Sequence, residues 1–316
     1  MRILLTGSSG FLGRHILPIL KKKYKNSKIF CTNKKKHDLT KLANWEKILK
    51  RFKADYIIHL AALSGGIGVN TIKPADFFYV NSSMVSNVFE AAAKYNVKKI
   101  IYPFGGCSYP SNVKSPILEK NLWEGYPQEN SAGYSVAKKI GVTAALSYKK
   151  QYNINTLLII PGNMYGEYDN YLTDESHVIP ALIRRFYEAK KKKIKKVKIW
   201  GSGKALRDFI YAKDVATNII DLMSKSNAYN TPINISSGRK TSIKKLVYII
   251  KNKLNYNGEI QWDISKPEGQ LVKIFSTKKL SNFNRKFIPT NLDTGLENTI
   301  NWFIKEYESG SKILRI

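Results

Sequence analysis

Cysteine is nearly absent: the 316 residues contain two, Cys31 and Cys107. Two thiols cannot build a disulfide framework, which favours a reducing, cytoplasmic setting and leaves each cysteine to be judged by its surroundings. Long apolar runs are missing too, and none approaches the roughly 20 residues of a membrane span. The opening Met1-Arg2-Ile3-Leu4-Leu5-Thr6-Gly7 meets a glycine turn too early for a signal peptide and reads as a first strand. There are no internal repeats, and no metal site is expected. Acidic residues are few: 23 against 53 basic ones gives a formal charge of +30.

That excess is concentrated in runs such as Lys21-Lys22-Lys23, Lys34-Lys35-Lys36 and Lys190-Lys191-Lys192-Lys193. A nucleic-acid surface is the first partner such charge suggests. The excess is mostly lysine, however, and it is spread along the whole chain. It also accompanies the Asn, Ile, Lys and Tyr enrichment of an AT-rich coding bias. The reading adopted is a solvated surface that also attracts a small polyanionic substrate, with no nucleic-acid partner.

What is present is a strand, a glycine turn and a helix. Arg2 to Leu5 is apolar, and Phe11 to Lys22 carries apolar residues at helical spacing. Lys28 to Thr32 reads as a second strand and Trp45 to Phe52 as part of a helix. Asp55 to Leu60 has the near-continuous apolar run of a buried parallel strand. Strands at Lys99 to Tyr102 and Thr156 to Ile160 alternate with helices between Asn81 and Tyr95 and between Tyr134 and Tyr152. This alternation predicts an α/β chain built on a Rossmann-type doubly wound parallel sheet. Past about residue 165 it weakens, with short strands at Val197 to Trp200 and Glu259 to Trp262. The expected division is a dinucleotide-binding domain over 1–165, with returns around 205–235, and a smaller mixed α/β substrate domain over most of 166–316.

Gly7, Gly10 and Gly13 follow the first strand and open the first helix, with Ser9, Phe11 and Leu12 between them. In that context a glycine pattern signals close backbone approach to a pyrophosphate seated on a helix amino-terminus. After the second strand, where an acid would bind the ribose of NAD, the chain has Thr32-Asn33-Lys34-Lys35-Lys36. Asn33 and Lys34 there favour the extra phosphate of NADP(H), while Asp38 a little later keeps NAD(H) possible. Ala61 and Ala62, after the third strand, are expected to pass beneath the cofactor.

Tyr134 and Lys138 lie four residues apart in Gly133-Tyr134-Ser135-Val136-Ala137-Lys138. On a helix they share a face, so the ammonium is expected to lower the phenol pKa toward working pH and make it a usable proton donor.

With these motifs the chain resembles the extended short-chain dehydrogenase/reductase family. An ordered set narrows the likeness: Ser64-Gly65-Gly66-Ile67, Pro74-Ala75-Asp76-Phe77, Asn81, Asn163-Met164-Tyr165-Gly166, Asp169-Asn170 and Ser176 to Phe186. Trp200-Gly201-Ser202-Gly203, Arg207-Asp208-Phe209 and Ser265-Lys266-Pro267-Glu268-Gly269 complete it. It is similar to the GDP-L-fucose synthase family, which epimerises GDP-4-keto-6-deoxy-mannose at C3 and C5 and reduces C4 with NADPH. The resemblance implies Cys107 as base, His177 as acid, Tyr134 as proton donor to the C4 oxygen and Lys138 as its partner on the ribose. It implies Asn163 at both cofactor and substrate, and Val178, Arg184, Trp200, Arg207 and Lys273 at the GDP-sugar, the three cations toward its phosphates. It also implies a homodimer through long helices supplied by Asn81 to Tyr95 and Val136 to Tyr152.

The departure lies in Phe104-Gly105-Gly106-Cys107-Ser108-Tyr109-Pro110, where the family has a serine in place of Gly105. Losing one donor to the C4 oxygen typically costs about 2.7 to 4 kcal/mol of transition-state stabilisation. Ser108, one strand residue beyond Cys107, is expected on the opposite face. Three explanations stand: a slow reductase, a substitute hydroxyl from water or another side chain, or a related reaction on another GDP-keto-sugar such as a heptose. Val272 before Lys273 is a second departure, from an arginine. A remote alternative is a weakened member of the fold that binds RNA.

Overall fold

The computed structural model describes residues 1–173, 175–265 and 269–316, so Lys266, Pro267 and Glu268 of one quoted motif lie outside the described residues. In chain order the regular elements are β1 (Arg2–Thr6), α1 (Phe11–Lys23), β2 (Lys28–Cys31), α2 (Leu42–Phe52), β3 (Tyr56–His59), α3 (Ile67–Ile72), α4 (Pro74–Lys94) and β4 (Lys99–Pro103). Then come α5 (Ala132–Tyr152), β5 (Asn155–Pro161), β6 (Asn163–Tyr165), α6 (Val178–Lys191), β7 (Lys196–Trp200), β8 (Leu206–Tyr211) and α7 (Ala212–Leu222). The last are β9 (Pro232–Ile235), β10 (Lys240–Ser242), α8 (Ile243–Lys253), β11 (Glu259–Asp263), β12 (Val272–Lys273), α9 (Lys278–Phe283) and α10 (Leu292–Glu308).

Six strands form one parallel sheet in the order β2-β1-β3-β4-β5-β9, as the alternation predicts. The chain moves outward from β1 to β2 and returns to β3 on the other side. A crevice therefore opens at the carboxyl ends of β1 and β3, where open α/β sheets bind ligands. Both faces are covered, which is why β1, β3, β4 and β5 are apolar almost throughout. Trp45, Val88, Phe89, Tyr102 and Val142 fill one side, beneath α2, α4 and α5. Ile16, Leu20, Val215, Ile219 and Ile233 fill the other, with α1 and α7.

A second set of strands, β10-β8-β12 with β6 also on β8, carries the crevice onward. Buried Asp208 fastens it: its carboxylate accepts the Ser237 hydroxyl at 2.6 Å and the backbone N–H groups of Ser237, Gly238 and Phe275. Register then sets Lys273 of β12 directly beside Arg207 of β8. A third core, including Tyr171, Leu182, Phe186, Leu246 and Phe303, lies among α6, α8 and α10.

The helix expected from Asn81 begins earlier, at Pro74, a residue suited to the first helical position because its missing N–H has no partner to lose. The strand placement expected of Ser108 is corrected. β4 ends at Pro103, Gly106–Ser108 forms a 3-10 turn, and the fully buried Ser108 donates its hydroxyl to the Ser135 carbonyl. The strand ends at Pro103, and Gly105 and Gly106 follow one residue later, so the alternating-face rule no longer applies there.

Candidate functional site

The glycine turn is tight at the backbone itself. Gly7 has φ +69°, and a Cβ on it would lie 2.8 Å from the Ala61 nitrogen. A Cβ on Gly13 would lie 2.1 Å from the Gly7 carbonyl oxygen. Gly10 caps α1 without a side-chain bond, so the first-turn N–H groups, through Phe11, Leu12 and Gly13, have no side-chain cap and point at the crevice. Ser9 is exposed on the turn, its carbonyl accepting Arg14 Nε. Ala61 donates its N–H to Thr6 Oγ1, and Ala62 follows it out of β3. This cradle, which side chains would fill, fits a dinucleotide pyrophosphate.

Beyond β2, Asn33 Oδ1 accepts the Lys35 N–H and the Asn33 N–H reaches His37 Nδ1, leaving Lys34 exposed. Asp38 is occupied within its own turn: its carboxylate accepts the Thr40 hydroxyl at 2.6 Å and the Thr40 N–H. Those Thr40 bonds hold it below the ordinary carboxylate range. The acid that could bind a ribose hydroxyl is thus engaged while the lysines face solvent, an arrangement that suits a phosphorylated ribose.

At the crevice floor, Tyr134, Cys107 and Gly105 meet. A Cβ at Gly105 would lie 2.9 Å from Cys107 Sγ and 3.6 Å from Tyr134 Cε1, so the sulfur already fills the space beside the glycine. Cys107 is half-buried and free. Lys138 is buried, 3% exposed, with its ammonium 4.4 Å over the Tyr102 ring. Burial lowers its pKa to about 7, opposed by the sulfur of Cys107. Tyr134 departs from expectation: burial, then Cys107, pushes the phenol above its usual value. Desolvation prevails over the four-residue spacing, because no carboxylate among the described residues holds the ammonium charged. Lys273 faces the same sulfur. Its pKa is lowered by burial, with Cys107 raising it and Arg207 lowering it.

His177 caps the amino-terminal end of α6, its side chain 60% exposed. The preceding segment is tied to the loop after β3, where the Gly66 N–H donates to the Glu175 carbonyl at 2.7 Å. Burial pulls the imidazole down, but the Asp169 carboxylate, 3.9 Å from Nδ1, outweighs it and holds His177 above its ordinary value.

The sequence model of the NAD dependent epimerase/dehydratase family matches residues 3–236. The chain belongs to this family. Within it, the chain is 34% identical to the GDP-L-fucose synthase of Sinorhizobium fredii over 96% of its own length and 95% of that protein. A GDP-L-fucose synthetase of Naegleria fowleri solved with NADP superposes with a TM-score of 0.90 at 27% identity, covering 100% of this chain and 96% of that one. A GDP-6-OMe-4-keto-L-xylo-heptose reductase from C. jejuni superposes with a TM-score of 0.88 at 27% identity, covering 96% and 98%.

The other residues singled out in this epimerase/dehydratase chain are placed differently. Arg207 and Lys273 stand side by side in register, and Asn163 donates to the Asp208 carbonyl just beneath them. Val178 opens α6 beside His177 and Trp200 is 62% exposed at the end of β7. Arg184 is committed elsewhere, to Glu188 at 2.7 Å and the Tyr171 carbonyl at 2.9 Å. Sequence reasoning missed three contributors. Asp169 was visible in a motif, but its pairing with His177 depends on the loop between them. Tyr102 read only as an apolar strand residue, and His59 only as the end of β3. Among the described residues no three His, Cys, Asp or Glu side chains group as a metal site, and no helix is long and apolar enough to cross a membrane.

Proposed function

We propose that the protein is an NADP-dependent GDP-4-keto-6-deoxy-sugar 3,5-epimerase and 4-reductase. The observation that carries this is the meeting of Cys107, Tyr134 and Lys138 around Gly105, at the mouth of a cradle suited to a dinucleotide. Gly7 to Gly13 and Ala61 and Ala62 hold the cofactor, with Asn33 and Lys34 toward its extra phosphate. When bound, the nicotinamide supplies a hydride. In the division of labour, 1–165 with returns at 205–235 serve the cofactor and the remainder the sugar nucleotide, Arg207 and Lys273 meeting its diphosphate with support from Asn163, Val178 and Trp200. Arg184, already paired, braces α6.

Protons beside the C4 ketone are acidic because the resulting enolate is stabilised. Cys107 removes the proton at C3 and then C5, and His177, kept protonated by Asp169, returns one from the opposite face. Tyr134 then protonates the C4 oxygen as that carbon is reduced, and Lys138 supports Tyr134 and the ribose. We also place the enzyme in the cytoplasm as a homodimer paired through α4 and α5, a reading supported by the exposed Leu146 and Tyr152 on α5.

The test is incubation with GDP-4-keto-6-deoxy-mannose and NADPH in heavy water. Loss of NADPH absorbance with deuterium at C3 and C5 is expected, and neither would overturn the reading. Gly105 and the likeness to a heptose reductase favour one alternative, a GDP-heptose 4-reductase, which would consume NADPH without exchange.

A further inference from the structure

Lys138 poses a physical problem. An ammonium with 3% exposure and no carboxylate partner among the described residues is costly to keep in place and charged. One residue of the neighbouring strand touches it twice. Tyr102 of β4, itself fully buried, donates its hydroxyl to the Lys138 carbonyl at 2.9 Å and presents its ring face 4.4 Å below the Lys138 ammonium. The helix approaches closely enough for this only at a glycine, since a Cβ on Gly141 would lie 2.3 Å from the same ring. The ring is fixed from below as well. His59 of β3 stacks on it at 6.2 Å and 12°, Phe104 stacks at 6.1 Å and 17°, and His59 is itself hydrogen-bonded to Thr6 Oγ1 of β1.

We propose that Tyr102 is the positioning residue for Lys138, gripping its backbone carbonyl with the phenol and its ammonium with the ring face. A carbonyl that accepts a side-chain bond fixes the height of the helix turn; a ring face fixes where the cation rests. Together they hold the side chain of Lys138 ready before any cofactor arrives. An aromatic floor also differs from a carboxylate in consequence. It attracts the cation without neutralising it, so the positive charge that Lys138 carries at and below about pH 7 stays available to Tyr134 and to a ribose. The other titratable groups acting on this lysine are His59 from β3 and Cys107 from the turn after β4, while Tyr134 on the same helix acts on Tyr102. Buried His59, pushed well below its ordinary value by burial and then by Lys138, stays neutral and does not compete.

The proposal rests on the dehydrogenase reading for its purpose, but its test needs neither cofactor nor sugar. Lys138 loses its proton near pH 7 in the folded chain and near 10.4 when unfolded. Between those values the unfolded chain holds the extra proton, so stability rises with pH across that window. Thermal melts of the whole protein from pH 6 to 10, read as the difference from Lys138→Met, locate where the rise begins. Position 102 is then filled with Phe, 3,5-difluorophenylalanine and 3,4,5-trifluorophenylalanine, which keep the ring's shape and progressively weaken its negative face. The onset should move to lower pH with each step, by roughly half to one and a half units in all. Tyr102→Phe should leave the onset within a few tenths of a unit of the original. An onset that stays put along the fluorine series would overturn the proposal, whatever happens to the melting temperature itself. NADPH affinity measured by fluorescence over the same pH range gives the functional arm. Its high-pH decline should shift with the stability onset; a decline that does not move would reject the functional half while leaving the packing contact intact.

Discussion

Two proton-handling pairs occupy this crevice, and they are built on opposite principles. Tyr134 and Lys138 sit on one helix, largely withdrawn from solvent, over a stack of aromatic rings. Cys107 and His177 sit on separate elements, a 3-10 turn and the amino-terminal cap of α6, the first half-buried and the second 60% exposed beside a buried carboxylate. In the first pair desolvation decides the protonation behaviour, raising the phenol and lowering the ammonium. In the second the Asp169 charge decides it, raising the imidazole. A pair set by burial depends on packing, whereas a pair set by a neighbouring charge depends on a single partner. The two halves of the chemistry should therefore fail independently.

The largest expected effect tests that independence. Tyr134→Phe keeps the ring against Phe77 and removes only the hydroxyl. It should lower the rate of NADPH consumption by roughly 100- to 10,000-fold, the usual worth of a positioned acid, and leave deuterium uptake at C3 and C5 within a few fold. Cys107→Ala should do the converse, reducing exchange by the same order. The measurements are absorbance for one and NMR of the recovered sugar for the other. If Tyr134→Phe abolishes exchange as thoroughly as reduction, the pairs are not separate and the comparison fails.

How much of this could be read beforehand follows the same divide. The strand, glycine turn and helix from Arg2 to Lys23 were legible because each depends on neighbours a few residues away: apolar runs, glycines and helical spacing. Tyr134 and Lys138 were legible as a pair for the same reason. Their protonation was not, because burial is a property of the assembled core, and it was β4 and Gly141 that brought Tyr102 beneath the lysine. Ser108 misled for a related reason. Its strand stops at Pro103, and its hydroxyl goes to Ser135, which is distant in sequence. Asp169, Arg207 and Lys273 acquire meaning only from pairings across the fold. Arg184, which the resemblance placed at the phosphates of the GDP-sugar, is paired within α6 and to the Tyr171 carbonyl.

A smaller effect sharpens the second pair. Asp169→Asn keeps an oxygen for the Asn170 N–H it now accepts and removes the charge facing His177. His177 lies above its ordinary value with the carboxylate present, so the protonated acid is maintained as pH rises through neutrality. Without it the imidazole pKa falls, and the high-pH limb of the exchange rate should move down by about one unit. That corresponds to about a tenfold loss of exchange at pH 8. The limb for reduction should stay in place. A shared shift would mean that both activities depend on one titration.

The smallest expected effect lies at the junction of the two pairs. Gly105 has φ −80° and ψ 151°, a conformation any residue adopts, so its backbone accepts serine without strain. Its new Cβ would rest 3.6 Å from the Tyr134 ring, an ordinary contact, but 2.9 Å from Cys107 Sγ, which is too close. The sulfur must then move by a few tenths of an ångström, and as a side-chain end it can. Two consequences oppose each other. A hydroxyl beside Tyr134 adds a donor for the C4 oxygen, worth a factor of roughly 100 to 1000 when fully aligned. The displaced thiol loses its line to the carbon acids and also crowds the incoming hydroxyl. Gly105→Ser should therefore speed NADPH consumption by several fold only, and slow deuterium exchange by a similar factor. Opposite movement of the two rates in one variant would tie both pairs to the volume at residue 105. If both rates fall together, glycine serves packing at that turn, and the missing hydroxyl has been replaced from elsewhere in the site.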